Sequence, residues 1–212
     1  MKQNKSLVTV LVIFAAIAVV AGIKIVTQGQ LTQSSGTSRT KGNSGAPVKI
    51  VEYIDFQCPM CAVGARTIKD YMDRYPDKIF LDMRYFPLDM HRHALVASQY
   101  AECAGRQDKF WTMHDVILEK QKSWAETVNA STVFDIYAKE SGLNMGKLKA
   151  CLSDDNTAGV IQRSRKEGMD IGIRSTPTYF INGKMVVGIK LLQEELDHLL
   201  GVTPKTDSNN VQ

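Results

Sequence analysis

The sequence predicts an α/β domain in which a β-α-β half and a β-β-α half share one mixed sheet and are separated by an all-helical block. Three observations carry this. Residues 48–56, VKIVEYIDF, and 78–86, KIFLDMRYF, are rich in β-branched and aromatic residues and flank an amphipathic stretch from Pro59 to Tyr75. From His91 to about Ile171 there is almost no strand pattern. PTYFI and KMVVG then flank Asn182-Gly183, the dipeptide favoured in type I′ hairpin turns.

Taken in order, the chain begins with Lys2 and Lys5 ahead of a 17-residue run, Leu7 to Ile23, whose only polar member is Thr9. That run is at the lower edge of what spans a bilayer and long for the core of a signal peptide. Residues 1–26 therefore read as a membrane anchor with the N-terminus in the cytoplasm. A removed signal, cut after Val19-Val20-Ala21, is the rival reading; either one exports the rest. Residues 27–46 hold one large apolar residue, Leu31, among Gly, Ser, Thr, Gln and Asn, and read as a flexible linker. Its expected root-mean-square reach is about 25 Å.

The domain is expected over 47–202, with a polar tail at 203–212. Pro59 to Tyr75 carries Ala62, Ala65, Ile68 and Met72 at helical spacing and stops before Pro76. In KIFLDMRYF, Ile79, Leu81, Met83 and Tyr85 alternate with Lys78, Asp82 and Arg84. The inserted block, about 90–171, contains helical stretches at 92–104, 108–121, 131–141, 144–152 and 156–171, and KLLQEELDHLL (190–200) closes the domain. Trp111, Trp124, Phe110 and Phe134 read as the core of the insertion. The sequence lacks an evident dimerisation domain, so a monomer is expected.

The formal charge is +4, but all 22 acidic residues follow Ala46 while five of the 26 Lys and Arg precede it. From Pro47 onward the balance is 21 against 22, a net −1, which argues against a nucleic-acid partner.

The chemistry centres on FQCPMC. C-x-x-C alone fits half of a zinc site as well as a redox pair. Its context separates the two: Cys58 follows a strand and Pro59 opens a helix, so Cys58 sits where unpaired N–H groups and the helix dipole favour a thiolate. Such a sulfur is a better nucleophile and a better leaving group. Cys61 lies one turn on, facing inward, placed to resolve a mixed disulfide between Cys58 and a client.

FQCPMC, Glu52 six residues before Cys58, GIRSTPT (172–178) and the helical insertion together resemble the DsbA-type thioredoxin-fold thiol–disulfide oxidoreductases. The membrane-tethered, BdbD-like branch is the most similar. The resemblance covers about Pro47 to Gly201 and implies a thioredoxin fold carrying a helical insertion. It implies catalytic roles for Cys58 and Cys61, a buried acid at Glu52 that handles the Cys61 proton, and a cis-proline at Pro177 after Thr176 that helps dock an extended client. Pro59, Met60, Thr176 and Pro177 support the site. No metal or organic cofactor is required. The expected partners are reduced exported proteins and a quinone-linked DsbB- or VKOR-like membrane reoxidant. Met60 departs from DsbA, which has histidine there; with neither charge nor hydrogen bond to offer, it predicts a weaker oxidant. Cys103 and Cys151 both read as buried. They are either free apolar cysteines or, as an oxidising compartment favours and similar proteins of the branch can carry, a structural Cys103–Cys151 disulfide.

The expected location is extracytoplasmic, tethered to the cytoplasmic membrane, or secreted or periplasmic if the signal is cut. Two other functions stay open: a reductase or isomerase on the same fold, which Thr176 also allows, and a metal-binding protein using Cys58 and Cys61 with Cys103, Cys151 or His91. His91 and His93 read as surface or capping residues, and His114 and His198 carry no signal.

Overall fold

The computed structural model describes residues 39–202. The expected anchor, most of the linker and the tail from 203 lie outside the described residues. Among the described residues no helix is long and apolar enough to cross a membrane.

The elements run β1 (Thr40–Gly42), β2 (Val48–Ile54), α1 (Pro59–Arg74), β3 (Ile79–Tyr85), α2 (Ala94–Gly105), α3 (Phe110–Glu119), a short 3₁₀ turn (Gln121–Ser123), α4 (Ala130–Glu140), α5 (Met145–Leu152), α6 (Asp155–Asp170), β4 (Thr178–Ile181), β5 (Lys184–Val187) and α7 (Gly188–Leu200). The five strands form one sheet in the order β1-β3-β2-β4-β5. β2 and β3 are parallel, as the α1 crossover requires, and every other pairing is antiparallel. The β4–β5 turn has both Asn182 and Gly183 at positive φ, 49° and 86°, the conformation a type I′ turn demands.

Alternation divides the sheet into two faces. Val48, Ile50, Tyr179 and Ile181 pack beneath α1 and α7 with Ile68, Leu192 and Leu196. Tyr53, Phe86 and Ile173 pack on the opposite face. There α6 comes so close that a Cβ added to Gly168 would sit 2.8 Å from the Phe86 ring. The insertion, α2 to α6, has its own core of Trp124, Phe134, Met113 and Ile117, continuous with Phe56, Cys58 and Cys61. Cys103 and Cys151, from α2 and α5, are bonded to each other.

One expectation fails. Residues 39–46 are not linker: Thr40–Gly42 pair antiparallel with β3, and Arg39 is buried against Glu102 at 3.0 Å. Glu102 also accepts from Tyr85 Oη at 3.0 Å, the Arg39 guanidinium lies 4.9 Å from the Tyr85 ring centre, and Trp111 Nε1 donates to the Thr40 carbonyl at 2.9 Å. A polar sequence can add an edge strand because the pairing uses backbone groups. The charge of Arg39 is held by partners distant in sequence, which composition does not reveal.

Candidate active site

Cys58 is the N-cap of α1, with extended backbone (φ −71°, ψ 121°) and no side-chain cap; Pro59 follows inside the helix. The Cys61 and Ala62 amides reach back to the Cys58 carbonyl at 3.0 and 3.4 Å, closing the first turn. Cys58 and Cys61 are free and both buried, at 7% and 0% exposure.

The two sulfurs are driven apart electrostatically. A hydrogen bond from Cys61, with smaller effects of the nearby Thr176 hydroxyl, which makes no hydrogen bond of normal geometry, and of the amides of Cys61 and Met60, outweighs burial and brings the Cys58 pKa down to about 6. Burial, the Cys58 hydrogen bond and the neighbouring Cys58 charge hold the Cys61 thiol well above the ordinary value. Met60 is 47% exposed and contributes through its amide rather than its side chain, so the thiolate here depends on backbone and thiol donors.

The Thr176-Pro177 peptide is cis. In the thiol form Cys58 Sγ donates to the Thr176 carbonyl at 3.4 Å. The structure therefore brings together Cys58, Cys61, Pro59, Met60, Thr176 and Pro177, while Cys103 and Cys151, committed to each other, stand apart.

Glu52 is 1% exposed and lies on the α1 face, directly opposite Tyr179 in the β2–β4 register. Burial pushes its pKa up to about 8, against a smaller opposing effect of the Tyr179 hydroxyl. No hydrogen bond of normal geometry satisfies Glu52 Oε1 or the Tyr179 hydroxyl. Gly64 makes room for that hydroxyl: a Cβ there would stand 2.1 Å from it.

Several site residues escaped the sequence reading. Asp55, fully buried, accepts from the Gln57 and Leu88 amides, both at 2.7 Å, and pairs with His91 Nδ1 at 2.8 Å. Its own amide lies 3.4 Å from Cys61 Sγ. Gln57 accepts from the His93 amide and donates to the Ala125 carbonyl, and Gln121 donates to the carbonyls of Phe56 and Cys58. An acid at the end of β2, three residues before Cys58, is the one available signal; His93, Gln121 and Ala125 lie at or within the insertion and leave none. Among the described residues no three His, Cys, Asp or Glu side chains cluster as metal ligands would.

A family model described as thioredoxin matches residues 34–200. The chain belongs to the thioredoxin family. Among solved structures, it is similar to Wolbachia pipientis alpha-DsbA1 (TM-score 0.67, 24% identity, 81% of this chain and 95% of that one). It is also similar to oxidised BdbD of Bacillus subtilis (TM-score 0.64, 22% identity, 77% and 92%). These likenesses concern the fold, which is that of DsbA-like proteins: a thioredoxin sheet carrying a helical insertion. Among curated proteins, the chain is similar to the Na(+)/H(+) antiporter NhaA 3 of Salinispora tropica, 31% identical over 145 residues, or 68% of this chain and 21% of that protein. NhaA 1 of Salinispora arenicola is 34% identical over 146 residues, with the same coverage. The chain thus spans about a fifth of the length of these curated relatives.

Proposed function

We propose that this chain is an extracytoplasmic thiol–disulfide oxidoreductase that gives a Cys58–Cys61 disulfide to reduced exported proteins. The observation that carries the reading is the split between the two sulfurs. One sits at a helix N-terminus with its pKa lowered to about 6, and the other is buried with its pKa raised. A client thiolate attacks Cys58 Sγ of the disulfide, and the S–S electron pair leaves on Cys61. Glu52 gives that sulfur a proton, being a buried acid still protonated at neutral pH whose charge Cys61 feels. A second client thiolate then attacks the client sulfur of the mixed disulfide, and Cys58 departs as the stable thiolate that its surroundings favour. Pro177 and the Thr176 carbonyl, beside Cys58, would receive an extended client strand.

Lys2, Lys5 and the Leu7–Ile23 run support export with an N-terminal anchor, and the Cys103–Cys151 bond is at home in an oxidising compartment. The reading includes action as a monomer, no metal or organic cofactor, and a DsbB- or VKOR-like membrane protein as reoxidant.

The test is the Cys58–Cys61 equilibrium in glutathione buffers, read by mass-tagging free thiols. A midpoint between about −120 and −180 mV, the range of DsbA and disulfide isomerase, supports the oxidase. One near about −270 mV, the value of thioredoxin, turns the assignment to a reductase. If the two cysteines never pair, the oxidoreductase reading fails.

A further inference from the structure

A cavity of about 40 Å³ lies between α1 and α3, with Glu52 at its inner end and His114 and Asp115 in its wall. Glu52 Oε1 and His114 Nε2 are both buried and neither has a hydrogen-bond partner. Leaving such groups unpaired costs about 1–3 kcal/mol each, which makes two in one cavity notable. A water needs about 10–15 Å³ of such space and two to four polar partners, so the cavity accommodates water between these groups.

His114 is fixed in a defined state. Its Nδ1 lies 2.8 Å from Asp115 Oδ1. A carboxylate only accepts, so Nδ1 carries the proton and Nε2 of the neutral ring is an acceptor. Ring contacts with Phe56, Phe110 and Trp111, at 4.9 to 5.8 Å between centroids, hold the imidazole in place. The histidine itself is 4% exposed, whereas the Asp115 side chain is 42% exposed and opens to solvent. The remaining charged groups of the cavity are Arg66 and Lys69 on α1, Lys41 on β1 and Glu119 on α3.

We propose that His114, oriented by Asp115, relays protons between Glu52 and solvent through this cavity, so that the helical insertion supplies part of the proton traffic of the Cys58–Cys61 pair. The inference rests on the oxidoreductase reading above. When Cys61 leaves as a thiolate and takes the Glu52 proton, Glu52 becomes a carboxylate. Water in the cavity passes it a proton from an Nε2–H ring while Nδ1 takes a proton from solvent beside Asp115, which leaves the Nδ1–H tautomer described above. In the reverse direction each transfer runs backward, with no net change in atoms or charge.

A relay changes rates and leaves the redox equilibrium alone. The oxidised protein is mixed with a reduced dithiol peptide in a stopped-flow instrument across a pH series, for the wild type, His114→Phe, His114→Ala and Asp115→Asn. His114→Phe, which fills the same aromatic box, is expected to slow exchange about a hundredfold, the lower side of what a positioned proton donor contributes, with an unchanged glutathione midpoint. Added imidazole is expected to restore the rate of His114→Ala, which a purely structural role would not allow. A folded His114→Phe with wild-type rate and pH profile overturns the relay. If the His114 variants do not fold, Asp115→Asn, at its half-exposed position, decides: a slower rate with a shifted pH profile supports the relay, and an unchanged profile overturns it. A wild type that exchanges no disulfide at all overturns the oxidoreductase reading itself, whereas normal wild-type exchange with insensitive variants removes only the relay.

Discussion

The largest influence lowering the Cys58 pKa is the hydrogen bond from Cys61, so removing that one donor gives a sharp prediction. Hydrogen bonds to charged groups contribute about 1.5–3 kcal/mol. At about 1.4 kcal/mol per pH unit, Cys61→Ala should raise the Cys58 midpoint by about one to two units. It should move from about 6 to between about 7 and 8, and no further, because Thr176 and the amides of Cys61 and Met60 remain. Cys61→Ser keeps a donor at the same place and should stay near the wild-type value. The assay is thiolate absorbance against pH on the reduced proteins. Alkylation at a single pH would mislead, since a thiolate of higher pKa is scarcer but intrinsically more nucleophilic, and the two effects nearly cancel. If Cys61→Ala titrates with the wild type, the Cys61 donor is not what stabilises the thiolate, and the division of roles between the two cysteines loses its basis. The sign for linkage is that of a depressed acid. The thiolate favours the reduced fold fully above the ordinary thiol value of 9.0, and the advantage is lost as pH falls through about 6.

Three more expectations follow from the same geometry. Glu52 holds a proton from its ordinary pKa of 4.5 up to about 8 while the unfolded chain does not, so the wild type loses stability across that interval. Glu52→Gln should melt higher than the wild type at pH 8 by the equivalent of a few kcal/mol, and exchange disulfides more slowly; equal melting curves at both ends of the interval would refute this. Met60→His places an extra donor beside the Cys58 thiolate and should move the midpoint to a more oxidising potential, by about 30 mV for each 1.4 kcal/mol gained; an unchanged potential counts against it. Replacing Cys103 and Cys151 together by Ala opens a loop with a sequence separation of 48. In the chain-entropy treatment that costs about 4 kcal/mol, which thermal unfolding would report, with the Cys58–Cys61 midpoint unchanged.

What the sequence disclosed was whatever is local. A cysteine before Pro59 at the start of an amphipathic helix, and Asn182-Gly183 between two β-rich runs, specify their conformations within a few residues. The spacing of Cys58 and Cys61 therefore implies a nucleophilic sulfur at the helix N-terminus and an inward one a turn behind it. Glu52 was legible only as a position, because alternation along β2 allows either face and the α1 packing decides it. Arg39 and β1 were misread, since the partners that bury Arg39 are Tyr85 and Glu102, the latter 63 residues away. His114 gives no signal of its own within a helical pattern; only the fold brings it to the same cavity as Glu52.

The insertion does more than widen the fold. The segment from Asp55 to Cys58 turns from strand to helix, and its buried backbone groups outside the sheet ladder take partners from elsewhere. Gln121, just after α3, takes the Phe56 and Cys58 carbonyls, while Gln57 is gripped by the His93 amide at the start of α2 and by the Ala125 carbonyl. Asp55 is tied to Leu88 and His91 and directs its amide toward Cys61 Sγ. The helical block thus fixes the backbone that positions both sulfurs, and such preorganisation keeps the donors to a thiolate in place before the charge appears. An insertion that merely added a surface for clients would not need to reach beneath the active-site turn with buried amides.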